Sequence, residues 1–268
     1  GNDLLVSSSI QDWGGTARNL TKNGAGTMTL TGDSTYTGST AITAGTLLVD
    51  GDNSAATGAV SVANAAILGG TGNIGGAVNV GAGATFSPGD DLADTEDLTT
   101  GNFLINAGAT YEVQLDGTTG GTNHDQVDVV GTVNVTDATL NLTLGYVPAV
   151  NDTFTIVDND AADDVTGEFA DLVDGEAFEL IGPDSNPYIF TIDYQGGDGN
   201  DVVLTNHGTP ETSVEIVGGN LVITDINGGD SDDNLTITDD GTHFVITDNG
   251  GLTMTTSIAG AIRVDQST

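Results

Sequence analysis

A short corner motif sets the period to which the rest of this chain must conform. The segment ITAGTL at 42–47 returns as VANAAIL at 62–68, VGAGATF at 80–86, INAGATY at 105–111 and VTDATL at 135–140. Each copy is an apolar residue, a corner of Gly, Ala, Asn or Asp, and a second apolar run. Such a corner turns the backbone without a Cβ clash, and the flanking alternation sends every second side chain to one face. The leading residues Ile42, Val62, Val80, Ile105 and Val135 are separated by 20, 18, 25 and 30 residues, a period that suits solenoid coils. A single coil cannot bury its apolar face, so copies must stack. The spacing therefore predicts an all-β fold, a right-handed parallel β-helix, with Val62, Val80, Ile105 and Val135 in one internal row. Insertions are expected at 87–101 and 116–131, where the period lengthens.

Charge bounds the partners. Thirty-nine acidic residues face three basic ones, Arg18, Lys22 and Arg263, for a formal net charge of -36. That surface repels nucleic acid, anionic lipid and acidic polysaccharide and favours cations. An apolar fraction of 37% in ordered alternation argues for folded strands with acidic outer faces rather than for disorder. With no cysteine, a disulfide framework is excluded. No stretch reaches the ~18 apolar residues of a membrane span, so no membrane span is expected.

From Gly26 the chain reads GTMTLTGDSTYTGSTAITAGTLLVDG, and residues 67–90 continue as ILGGTGNIGGAVNVGAGATFSPGD. This run resembles the passenger-associated β-strand repeat of autotransporters: a Gly-rich lead, a Thr/Leu strand, a Thr-Tyr-Thr-Gly bend and an Ala-Gly-Thr-Leu strand. The likeness is close over 26–90 and looser to about 205. It implies a β-helix on an exported or cell-surface bacterial polypeptide, and it implies no catalytic residues.

Three segments are expected in order: the β-helix over 1–205, a polar linker over 206–213 (NHGTPETS holds Pro210 and lacks alternation), and a small β module over 214–268. In the module LVITD at 221–225 is echoed by FVITD at 244–248, which fits antiparallel strands or irregular further coils. The Asp-rich stretch from Asp158 to Asp174 reads as a surface loop with a short helical turn at Glu168–Leu172.

Several patterns carry a chemical reading beside a plain one. Gly70 to Gly75 spells G-x-G-x-x-G, but the expected strand at 77–80 takes the place of the helix that a dinucleotide site needs. Gly196 to Leu204, GGDGNDVVL, resembles the nonapeptide calcium repeat of RTX-type proteins, as does Gly228 to Thr236 with Ser231 for one glycine. The oxygen donors nominated for calcium are Asp198, Asn200, Asp201, Asp230, Asp232 and Asp233. One isolated copy supplies half a cage, and a Gly-Asp turn between strands explains it equally well. Paired acids at Asp90-Asp91, Asp158 with Asp160, and Asp163-Asp164 keep a glycosidase or lyase reading open. A lyase, however, needs a basic residue near the substrate. His124, His207 and His243 have no ligand spacing. Trp13 and Tyr36 are expected to cap the solenoid rather than to stack on sugar.

These features point to a non-enzymatic extracellular structural or adhesive segment of a bacterial surface or secreted protein. The alternatives are a carbohydrate-active β-helix and a calcium-dependent matrix or surface-layer component. Self-association head to tail into a fibre is expected if the ends that carry Leu4-Leu5-Val6 and Ala261–Val264 stand open, and a host surface or glycan is the other expected partner.

Overall fold

The computed structural model describes residues 3–89, 96–160 and 163–210, and beyond them the backbone of strands at 212–217, 220–225, 235–239, 244–248, 254–256 and 262–266. No helix occurs among the described residues. The chain divides into two compact units. The first holds Gly1–Tyr146, Thr153–Glu176 and Ile192–Thr205; the second holds Val147–Asp152, Ala177–Thr191 and Asn206–Thr268.

The first unit is a parallel β-helix. Strands β1 (Leu4–Val6), β2 (Leu20–Lys22) and β3 (Thr27–Leu30) lead into five coils of three strands each. The coils are β4 (Thr40–Ile42), β5 (Gly45–Val49), β6 (Asp52–Asn53); β7 (Val60–Val62), β8 (Ala66–Gly69), β9 (Asn73–Ile74); β10 (Val78–Val80), β11 (Thr85–Phe86), β12 (Asp97–Thr100); β13 (Phe103–Ile105), β14 (Thr110–Leu115), β15 (Gln126–Val129); and β16 (Val133–Asn134), β17 (Thr139–Leu144), β18 (Thr153–Asn159). Like strands stack into three sheets, β2-β4-β7-β10-β13-β16, β1-β3-β5-β8-β11-β14-β17 and β6-β9-β12-β15-β18.

The row expected from the motif is present. Ile42 pairs with Val62, Val62 with Val80, and Val80 with Ile105. Val135 follows the pairs Phe103 with Val133 and Leu104 with Asn134, and all five are buried. The corner residues Gly45, Ala65, Gly83, Gly108 and Asp137 all have φ between 55° and 76°, the left-handed region. Successive corners also bond to one another: Ala65 N–H donates to the Gly83 carbonyl at 2.8 Å, Gly83 N–H to Gly108 at 2.8 Å and Gly108 N–H to Asp137 at 3.3 Å. The motif is thus a conformational requirement copied once per coil.

A second ladder escapes the motif. Gly38, Gly58, Gly76 and Gly101 each stand two residues before a strand of the β2-β16 sheet. A Cβ on Gly58 would come within 1.9 Å of the Gly38 carbonyl oxygen, and one on Gly76 within 2.0 Å of that of Gly58. Backbones here approach too closely for any side chain.

The expected insertions prove to be partly structural. Each contains a strand of the third sheet, β12 within 87–101 and β15 within 116–131, so the coils are triangular rather than two-sided. Residues 90–95, including Asp90 and Asp91, lie outside the described residues. The core also changes along the axis. Early coils are filled by Leu30, Ile42, Leu47 and Leu68, later ones by Phe86, Phe103 and Tyr111 with ring centroids 4.8–6.2 Å apart. Tyr111 is fully buried and its hydroxyl donates to the Ile156 carbonyl at 2.6 Å, which meets the requirement for a partner.

The Asp-rich stretch is not a free surface loop, and no helical turn forms at Glu168–Leu172. Asp158 and Asn159 end β18, and residues 164–172 lie along the last coil as its cover. Val135 N–H donates to Thr166 O, Thr166 N–H to Val133 O, Asp137 N–H to Glu168 O and Ala170 N–H to Ala138 O. Phe169, 2% exposed, closes the aromatic column at 6.3 Å from Tyr111 and 6.2 Å from Tyr194. Tyr194 accepts the Phe169 N–H and donates to the Leu172 carbonyl, both at 2.8 Å. The third sheet is closed differently, by β21 (Asp201–Gly208) running antiparallel to β18.

Trp13 is no cap either. It is 79% exposed on a turn formed by Gly14 and Gly15, whereas Tyr36 is buried and bonds Thr40 at 2.6 Å.

In the second unit β19 (Ala177–Ile181) forms a hairpin with residues 187–191 of β20 (Pro187–Gly196). β22 (Thr212–Val217) pairs antiparallel with β23 (Asn220–Asp225) and parallel with β26 (Met254–Thr256); β24 (Leu235–Asp239) pairs antiparallel with β25 (Phe244–Asp248), which pairs parallel with β27 (Ile262–Gln266). The LVITD and FVITD echoes are therefore both hairpin strands, but the first is an edge and the second is central. The segment 206–213 read as a linker is occupied by the end of β21 and the start of β22. Asn206 is buried and donates from Nδ2 to the Ala149 carbonyl at 2.8 Å.

Candidate functional site

The nonapeptide at 196–204 sits on the turn that enters β21. Gly197 and Gly199 have φ of 58° and 116°, and Gly199 N–H bonds the Gly196 carbonyl at 2.8 Å. Asp201 folds back over this turn and also accepts the Asn159 N–H through Oδ1 at 2.9 Å. The turn reading thus accounts for Asp201. The partner strand of β21 is antiparallel β18 and not a parallel coil of the same repeat.

The antiparallel register pairs Val157 with Val202. Beyond this pair Asn159, at the end of β18, donates its N–H to Asp201 Oδ1, and Asn200 directly precedes β21. The amide nitrogens of Asn159 and Asn200 both donate to the Asp163 carbonyl, at 2.6 and 2.9 Å. Both side chains are buried, 2% and 5% exposed, and the Oδ1 atom of each has no hydrogen-bond partner.

Acids surround this pair. Asp128 pairs with Asp158 across β15 and β18, and Gln126 Nε2 reaches Asp128 at 2.6 Å and Asp158 at 3.4 Å. Burial raises the Asp158 carboxyl above its ordinary value, and the charges of Asp201, Asp128 and Asp198 push it the same way. Asp201 is raised by burial and by Asp198, against two backbone N–H groups that favour its charged form. A cleft of about 680 Å³ lined by Asp164, Gly199, Gln195, Tyr194 and Asp137 opens beside it.

The other nominated donors, Asp230, Asp232 and Asp233, lie outside the described residues, as does His243. Among the described residues no three His, Asp or Glu side chains gather as a metal cluster. Asn159 was missed because it lies far from the nonapeptide in sequence; nothing short of strand register brings it there.

The remaining titratable groups have structural surroundings. Asp125, 2% exposed, accepts the Glu96 and Gln114 N–H groups at 3.1 and 2.8 Å, and burial pushes its carboxyl up to about 7. Beside it His124 is held between the Gly117 and Thr155 carbonyls, both at 3.0 Å, and burial lowers its pKa. Residues 70–75 hold β9 and run on into β10, and a Cβ on Gly70 would lie 2.3 Å from Val49 backbone atoms. Those glycines serve coil stacking.

The fold and these surroundings define an all-β solenoid with a mixed-sheet second unit. Residues 20–49 match the passenger-associated-transport-repeat family. The matched stretch runs from the start of β2 to the end of β5, a little over one coil, and is similar to the passenger repeat of autotransporters, a kind of segment carried by secreted or cell-surface bacterial proteins. No curated protein matches the chain. Among the described residues no helix is long and apolar enough to cross a membrane.

Proposed function

We propose that this chain is a non-enzymatic structural or adhesive β-solenoid segment displayed outside a bacterial cell. The observation that carries the reading is the coincidence of the passenger repeat with the coil: residues 20–49 begin and end on strand boundaries of the stack. The chemistry of the interior supports it. The Asp125 carboxyl, which burial pushes up to about 7, has both oxygens bonded to backbone N–H groups, a structural placement and not one facing a substrate. General acid catalysis needs a raised carboxyl that can reach a leaving group.

An epitope inserted at the Trp13-Gly14-Gly15 turn of the full-length protein tests display. Labelling by antibody on intact cells is expected, and labelling only after lysis would overturn the reading. The adhesive part is tested by binding of the purified chain to immobilised glycans and matrix proteins, where no binding leaves the structural role alone. Head-to-tail association is read from light scattering across a salt series, since screening must first reduce the repulsion of a net charge of -36. Among the described residues Leu4 and Leu5, 55% and 65% exposed on edge strand β1, offer apolar surface for it.

A further inference from the structure

We propose that Asn159 and Asn200 form the protein side of a binding site for one hard divalent cation, of the size and preference of calcium, at the junction of β18 and β21. Two independent observations meet at this point. The first is the pair of amide oxygens, both buried and both without a partner. A buried carbonyl-type oxygen left unsatisfied is costly, and here two belong to amides that share one acceptor. Their orientation is fixed by the shared acceptor: both Nδ2 atoms face the Asp163 carbonyl, so turning either amide over would set oxygen against oxygen.

The second observation is the acid row. Asp128 pairs with Asp158 across β15 and β18, Asp158 precedes Asn159, and Asp201 follows Asn200 and accepts the Asn159 N–H at 2.9 Å, so carboxylates flank the amide pair from three strands. Like charges directly opposite on adjacent strands destabilise a sheet. The described basic side chains, Arg18 and Lys22, belong to the first coils and not to this end of the stack. A buried water could bond both amide oxygens, but it would leave the acid row uncompensated. A cation answers both: amide oxygens and carboxylates are the hard donors that calcium takes, and it tolerates irregular geometry.

The donor set departs from the nonapeptide likeness. Asn159 lies outside that motif and Asn200 occupies one of its variable positions, so the site does not depend on stacked copies of the repeat. In this arrangement two neutral oxygens do the close work and Asp158 and Asp201 supply charge, so the site needs no triad of carboxylates, and none gathers among the described residues. The cleft is lined by Gly199 and Asp164, the chain neighbours of Asn200 and Asp163.

The test is calorimetric titration of the whole chain with calcium chloride in potassium chloride at physiological ionic strength, beside magnesium chloride. A saturable component of one ion per chain is expected for calcium, above a weak background from the acidic surface. The double variant Asn159→Ala/Asn200→Ala should lose that component, while Glu179→Gln, an exposed acid on β19, should keep it. Calcium should raise the melting temperature of the wild type and of Glu179→Gln more than that of the double variant. Equal shifts in all three, or a wild type with background binding only, would overturn the site. Crystals grown in calcium give a check that needs no variant. Density about 2.3–2.6 Å from both Oδ1 atoms supports the ion. A water at hydrogen-bonding distance in its place refutes it.

Discussion

Lys22 donates from its ammonium nitrogen to the backbone carbonyl of Ala44 at 2.9 Å, across the interface between neighbouring coils. Lys22 is 5% exposed and pairs in register with Ile42, so a charged side chain begins the row that Ile42, Val62, Val80 and Ile105 continue. A second bond, to Gly24 O at 2.7 Å, holds the ammonium on the corner carbonyls. Lys22→Met would keep the bulk and remove both donors. We expect a loss of about 1–3 kcal/mol in urea unfolding; unchanged stability would mean that the ammonium is solvated.

Gly58→Ala and Gly108→Ala separate two reasons for glycine. At Gly58 the added Cβ meets the Gly38 carbonyl at 1.9 Å, so the coils must move apart, at a cost of roughly 1–3 kcal/mol or more. At Gly108 the nearest atom is 3.9 Å away and only the φ of 76° resists, for about 1–2 kcal/mol. Hydrogen exchange should show the first change spreading into β4 and β7 and the second staying at its corner. The reverse pattern would contradict this assignment.

Phe169→Ala should open the last coil. Loss of a buried Phe costs about 3–5 kcal/mol, and the Thr166 and Val135 amides, which bond across the cover, should exchange faster than the Val80 row. Uniform acceleration along the whole solenoid would show that the cover is not a separate cooperative unit.

Asp125 sets a pH dependence. Its folded value of about 7 lies above the ordinary 3.8, so the neutral acid is favoured in the fold. Its contribution is full below about pH 4 and is lost as pH rises through 7. The conversion of ~1.4 kcal/mol per unit makes about 4 kcal/mol an upper bound. His124 acts oppositely, because its lowered value makes its contribution present above the ordinary 6.5 and lost on acidification. Comparing the wild type with Asp125→Asn isolates the first effect. The wild type should be the more stable at pH 5, and its advantage should vanish by pH 8. A constant difference between those pH values would assign the cost to lost hydrogen bonds alone.

Much of the solenoid was legible because its requirement is local. A corner that must enter the left-handed region calls for Gly, or for a residue that can adopt that region as Ala65 and Asp137 do, and the alternation beside it places one face inward. The third side of the coil was poorly legible, since β6 and β9 are two residues each and too short to show a period. The cover was misread because Glu168 to Leu172 holds a single large aromatic among acids, and only the aromatic column shows where Phe169 belongs. Asn206 read as linker for the same reason: it is polar, and its burial depends on carbonyls distant in the chain.

The sequence by itself determined the coil: its period, its inward row and its corners, because each copy meets the same steric and hydrophobic demand with its own residues. The tertiary structure decided how the stack ends and which distant groups meet there. The cover over Val133–Ala138, the antiparallel closure by β21 and the convergence of Asn159 with Asn200 depend on strand register across some forty residues, and register is a property of the packed sheet.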